Sequence, residues 1–161
     1  MDEQVDDRSP TRQLSEEECW ERLAAAPYGR VAATAAGEID IFPVNHAVDG
    51  GTIVFRTSAG TKLAATKGHE VAFEVDGYDV GAAKAWSVVV KGRANEIWEV
   101  DEILRALRLP LAPWQPGRKP RFVRLEPASV TGRRFVVEGG FTTRPPDRDA
   151  SNQRHDHPSN A

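Results

Sequence analysis

The stretch 28-YGRVAATAAGEIDIFPVNHAVDGGTIVFRT-57 decides the fold. Its first part, 28–35, places larger and smaller residues alternately, the period of an extended strand whose successive side chains point to opposite faces. Ala36-Gly37-Glu38 then reads as a turn, and 39–48 resumes the alternation as a second strand. Pro43 lies inside that run. It has no N–H to give a ladder, so the strand belongs at an edge or carries a bulge. Asp49-Gly50-Gly51 is a strong hairpin signal, because tight β-turns need residues tolerant of positive φ. The third strand, 52–57, follows at once.

Outward from this meander the pattern stays mainly β. Towards the N-terminus, Ser15 and Glu18 form an S-x-x-E capping box, and Leu14 with Cys19 fits a hydrophobic staple. Cys19, Trp20, Leu23 and Ala24 share one helical face, and Pro27 lies just past the helix end. Cys19 therefore reads as a packed apolar group. Towards the C-terminus, Ser58-Ala59-Gly60 leads into a short helix at 61–66, then a strand at 71–75 and a loop at 77–83. A long strand at 86–97 carries Gly92, the mark of a bulge. A helical piece at 101–107, an irregular proline-rich loop at 109–120 and strands at 121–125 and 131–137 complete the body. Six or seven short strands with few, scattered helices point to a barrel or a sandwich and away from alternating βαβ units.

Residues 1–13 and 140–161 are polar and hold too little apolar surface to offset their ordering entropy, so both read as disordered tails around one domain, 14–139. The net charge of −3 argues against general nucleic-acid binding, which needs a basic face, but leaves room for a small anionic ligand. With Cys19 the single cysteine, an intrachain disulfide and a cysteine-built zinc site are excluded. The His155-Asp156-His157 run reads as solvated tail, and no metal site is expected. The N-terminus lacks the basic start and apolar run of a signal peptide, and no apolar stretch reaches the roughly 18 residues a membrane span requires. A cytoplasmic protein is expected.

Three stretches can carry chemistry. In Arg56-Thr57-Ser58-Ala59-Gly60-Thr61-Lys62, a strand ends and a helix begins within a few residues. Two cations, three hydroxyls, a glycine that lets backbone approach and the free amides of a helix start are the parts of a monophosphate site. The alternative is a plain surface loop. In the second stretch, Trp86 and Ser87 open the long strand on opposite faces. An indole there can pack on a flat ring, or simply belong to the core. In the third, Ile41 to His46, Pro43 breaks the strand ladder, so nearby backbone N–H and C=O groups can turn to a ligand such as a polar ring edge. His46, with no carboxylate at alternate spacing, reads as structural. No nucleophile–base arrangement or carboxylate pair is visible, so no catalytic residue is expected, and an enzyme built from this chain needs a cofactor for its chemistry.

The ordered set LSEEECW, YGRVA, FPVN, DGGTIVFRT, GTKL, FEVD, WSVVVKGRA and VTGRR resembles the pyridoxamine 5′-phosphate oxidase-like flavoproteins, in particular small actinobacterial members. The resemblance covers about 14–135. It implies a six- to seven-stranded split β-barrel and a homodimer with FMN between subunits. It also implies a flavin-dependent oxidoreductase acting on a small molecule. Arg56, Thr57, Ser58, Thr61 and Lys62 fall where the family holds the FMN phosphate. Pro43, Val44 and Asn45 fall on the strand whose backbone meets the flavin ring, and Trp86 and Ser87 fall where the family contacts the cofactor across the dimer. Ser87 stands where authentic oxidases usually carry glutamine. Arg133-Arg134-Phe135-Val136 lacks the Arg-x-His pair that grips their substrate, which implies a substrate other than pyridoxine phosphate. Two kinds of relative stay open within the resemblance: deazaflavin-dependent reductases, for which Arg118, Lys119 and Arg121 would widen the cationic channel, and reductases of nitroaromatic compounds; the alternative from a different class is a non-catalytic flavin carrier or sensor.

Overall fold

In the computed structural model, residues 10–111 and 121–139 are described, without the side chains of Thr61 and Lys62. The tail segments 1–9 and 140–161, and with them the His155–His157 run, lie outside the described residues, as do Trp114, Arg118 and Lys119. The order of elements is β1 (Thr11–Gln13), α1 (Glu16–Ala25), β2 (Gly29–Ala35), β3 (Glu38–Val44), β4 (His46–Asp49), β5 (Thr52–Thr57), α2 (Thr61–Thr66), β6 (His69–Asp79), β7 (Lys84–Glu96), α3 (Val100–Ala106) and β8 (Arg121–Val136). All strands join one antiparallel sheet in the order β3-β2-β6-β7-β8-β5-β4, with β1 added on β8.

That order explains the shape. β3 and β4 are the two ends of the path, yet only Asn45 separates them in sequence. One residue spans about 3.3 Å of extended chain, so the sheet must curl until its two ends meet. The result is a mainly β fold, a split barrel. Pro43 accordingly sits on an edge strand, opposite Arg30, and the expected second strand, 39–48, is broken at Asn45 into β3 and β4 because it passes from one end of the sheet to the other.

The barrel core gathers the inward residues of each strand, among them Val31, Phe42, Ile53, Phe55, Phe73, Val75, Val88, Val90, Val123 and Leu125. Leu14, Cys19 and Leu23 of the α1 segment close one opening. α1 begins as expected: Glu18 N–H donates to the Ser15 hydroxyl at 3.2 Å and Ser15 N–H donates to the Glu18 carboxylate at 2.8 Å. Burial pushes the Cys19 thiol above its usual range, in keeping with a packed group. A second, smaller cluster of Ala47, Val54, Ile97, Ala106, Leu111 and Phe122 lies on the other face of β4, β5 and β8, under α3.

Four expectations are corrected. The loop at 77–83 is shorter, because β6 continues to Asp79. Gly77 faces Trp86 across the ladder, and a Cβ there would lie 2.6 Å from the indole, so the glycine lets both strands pass the ring. The strands at 121–125 and 131–137 are one strand, β8, that continues through Pro127. The bulge expected at Gly92 is present, but its extra residue, Ala128, lies on the partner strand: Gly92 pairs with Pro127 and Lys91 with Ser129. A side chain at Gly92 would run into the Glu126 carbonyl. Finally, Thr11–Gln13, placed by composition in a tail, pairs with Phe135–Arg133 of β8. Arg12 fastens it by donating to both oxygens of Glu18, at 2.6 and 3.0 Å. That guanidinium, with the Ser15 amide, holds the Glu18 carboxyl at about 2. Among the described residues no helix is long and apolar enough to cross a membrane.

Candidate functional site

β5 ends at Thr57, and the chain turns through Ser58, Ala59 and Gly60 into α2. Gly60 takes φ of +145°, a conformation side chains rarely adopt, so a glycine is needed to aim the helix. α2 has six residues and no side-chain cap. The first backbone bond of the helix runs from Ala64 N–H to Gly60 C=O, so the amides before it have no partner within the helix. So short a helix adds donors but little dipole.

Arg56 pairs with Phe122 across the ladder, and its guanidinium lies 5.0 Å from that ring, half-buried. Thr57 is buried and donates to the Ser58 carbonyl at 3.3 Å, while Ser58 is exposed. Of the two cations expected to flank the turn, Arg56 is thus held on an aromatic surface, and the Lys62 and Thr61 side chains lie outside the described structure. Asn45 falls one step beyond the His46–Phe55 pair, level with Arg56. The Pro43-Val44-Asn45 segment and the Arg56-Thr57-Ser58 turn therefore meet at the corner where the barrel closes. Val44 is buried in the core and Pro43 is exposed.

Next to this corner stands a network that sequence reading missed. Glu96, its side chain only 2% exposed, lies 3.0 Å from Arg121 and 3.3 Å from Lys67. Both cations sit over the Trp98 ring, at 5.2 and 4.6 Å. Arg121, considered above as part of a cationic channel, is bound to this carboxylate. The signal in the sequence is faint, since the four residues come from the end of α2, the end of β7 and the loop after it, and the start of β8, with no common spacing.

Trp86 and Ser87 are not brought to the corner within one chain. They open β7, ten residues before Glu96, or about 30 Å of extended strand away. They also part company. Ser87 faces outward with Arg133, its cross-strand partner, in a groove that Thr11 also lines. Trp86 packs against the core and carries the Arg22 guanidinium of α1 on its ring at 4.7 Å. Beside it, Tyr28, Pro27 and Asp76 line a groove of about 620 Å³. Arg22 and Tyr28 had drawn no functional expectation, because only the fold brings α1 beside β7.

His46 is structural, as expected. It is buried, its Nε2 donates to the Leu23 carbonyl at 2.6 Å, and its ring meets Phe73 edge-on. Burial pushes its pKa below the usual range, so it stays neutral and walled off from solvent.

The comparisons with known proteins agree with this architecture. Residues 15–134 match the family model described as pyridoxamine 5′-phosphate oxidase. The chain is 36% identical to an uncharacterised Mycobacterium tuberculosis protein, Rv0080, over 78% of its own length and 86% of the relative's. Among solved structures it is similar to a Corynebacterium glutamicum protein described as a candidate pyridoxamine 5′-phosphate oxidase, with 41% identity, a TM-score of 0.70 and coverage of 80% and 96% of the two chains. It is also similar to an FAD-binding protein from Mycobacterium smegmatis, with 37% identity, a TM-score of 0.67 and coverage of 77% and 97%. A match to the family model that takes in every strand of the barrel from β2 to β7 and most of β8, together with relatives of this identity and coverage, makes this chain a member of the pyridoxamine 5′-phosphate oxidase family.

Proposed function

We propose that two copies of this chain form a dimer that binds a flavin nucleotide, FMN in the first instance, through its phosphate, and that the complex is an oxidoreductase for a small molecule. The observation that carries the reading is the barrel-closing corner. There a half-buried guanidinium on an aromatic ring, the hydroxyls of Thr57 and Ser58 and the α2 amides that have no partner within the helix lie on the turn that follows β5, beside the Pro43–Asn45 segment. These groups suit a phosphate beside a polar ring edge: a fixed cation, donors between, and backbone that can approach closely. Lys62 would supply the second positive charge.

Each part has its task. Arg56 and Lys62 would neutralise the phosphate, Ser58 would donate to it, Thr57 would do so once its hydroxyl turns from the Ser58 carbonyl, and the backbone of Pro43, Val44 and Asn45 would orient the ring. When bound, the flavin supplies electron or hydride transfer, and the protein supplies position and electrostatic setting. The 30 Å of strand between this corner and the Trp86–Ser87 end supports a site completed by a second chain, whose Ser87 and Arg133 would meet the cofactor from across an interface. The M. smegmatis relative binds FAD, which shares this phosphate, so FAD is the nearest variant of the same reading. The deazaflavin alternative needs further free cations, and Arg121 is bound to Glu96.

The visible absorbance spectrum of purified protein, before and after FMN is added, tests the cofactor. A flavin band that survives gel filtration is expected; its absence in both samples refutes the reading. Sedimentation should give a dimer, and a monomer holding FMN tightly would rule out the shared site. Reduction by NADPH or a reduced deazaflavin, then reoxidation by an acceptor, separates an oxidoreductase from a carrier.

A further inference from the structure

A groove on the α1 side of β7 carries no function above, apart from the cofactor contact that the family resemblance implies for Trp86. The groove of about 620 Å³ runs between the second half of α1 and the open edge of β6. β2 pairs with β6 only from Arg30 to Ala32, so beyond Glu74 that edge of β6 has no neighbouring strand among the described residues. The half-buried indole of Trp86 and the exposed ring of Tyr28 line the groove, with Ala25 and Pro27 beside them. A volume of this size suits one small organic molecule.

The charges decide its class. Glu18 is engaged by Arg12 and the Ser15 amide, and Asp76 accepts from Arg30 at 3.1 Å. Glu21 stands exposed at the rim. Arg22 differs from all of these. Its guanidinium is half-buried and lies flat enough on Trp86 to sit 4.7 Å from the ring, and among the described residues it has no hydrogen-bond or ion-pair partner. Stacking uses the face of a guanidinium and leaves its N–H edge open, and that edge fits a carboxylate in two-point contact.

We propose that this groove binds a flat aromatic carboxylate, its ring against Tyr28 and Trp86 and its carboxylate on the edge of Arg22. The site does not rest on the flavin reading: Trp86 also borders the groove of Ser87 and Arg133, but Arg22 and Tyr28, which would hold the carboxylate and the ring, line only the α1 groove.

Calorimetric titration of the full chain, with FMN in excess, tests it with two probes of one ring system: 2-naphthoate and 2-naphthylmethylammonium. The proposal expects one naphthoate per chain, bound at least tenfold more tightly than the cation, with a change in indole fluorescence. Arg22→Gln, checked for folding by circular dichroism, should remove about tenfold of naphthoate affinity and erase the preference. Lys62→Ala should leave naphthoate binding unchanged. Equal binding of the two probes by the unaltered chain overturns the proposal without recourse to a variant. So does no naphthoate heat at millimolar concentration, an Arg22→Gln protein that binds as before, or loss of naphthoate binding in Lys62→Ala, which would put the probe at the β5–α2 turn.

Discussion

The two ends of the β7–β8 ribbon use charge in opposite ways. At one end a buried carboxylate, Glu96, draws in Arg121 and Lys67, and both cations rest on Trp98. At the other, Arg22 rests on Trp86 with no carboxylate partner among the described residues, beside an open groove. The motif of cation on indole is the same; what differs is whether an acid completes it. With the acid the group is a fastener, tying the end of α2 and the start of β8 to β7. Without it the cation remains available to a ligand.

The sharpest way to break the comparison is to break the ribbon between its ends. Gly92→Ala would drive a Cβ into the Glu126 carbonyl, where only backbone movement relieves the contact. It should destabilise the chain by about 3 kcal/mol or more in urea unfolding. Next in size, Glu96→Ala should cost about 2 kcal/mol. That is less than a fully buried pair would lose, because Lys67 and Arg121 are partly exposed and can be hydrated. Arg22→Gln at the other end gives up only the contact with the Trp86 ring and should cost at most about 1 kcal/mol. Equal losses at the two ends would erase the distinction between fastener and ligand group.

A smaller effect concerns the latch on β1. Glu18 has its pKa lowered to about 2 by Arg12, against an ordinary value near 4.5. The folded state therefore binds this proton less readily than the unfolded chain. The contribution is full above about pH 4.5 and is lost as pH falls towards 2. The pair is partly exposed, so it should be worth about 1 kcal/mol. Glu18→Gln should lose that amount at pH 7 and flatten this part of the acid limb in denaturation measured across pH. An unchanged limb would remove the latch from the account.

Much of the fold was legible because it is written in local terms. The capping box of α1, the hairpin at Asp49–Gly51, the bounds of α2 and the edge position of Pro43 each depend on neighbours in sequence or on a missing N–H. The failures were nonlocal. Nothing near Asn45 says that β3 and β4 lie at opposite ends of the sheet path. Nothing near Pro127 says that an extra residue there answers Gly92 across the ladder. The turn from Arg56 to Lys62 was visible as a cluster of suitable side chains in one short run. Glu96 with Arg121 and Lys67, and Arg22 with Trp86, were not, since those contacts exist only once separate elements are packed.

The central claim is that the β5–α2 turn holds a flavin by its phosphate, and comparison of FMN with riboflavin tests it most directly, because the two ligands differ only in that group. Fluorescence titration of the flavin-free protein should give FMN binding at least a hundredfold tighter than riboflavin, from two charge-assisted contacts at about 1.5 kcal/mol each. The Arg56→Ala, Lys62→Ala double variant should bring the two affinities together. Equal binding of riboflavin and FMN by the unaltered chain would contradict the account.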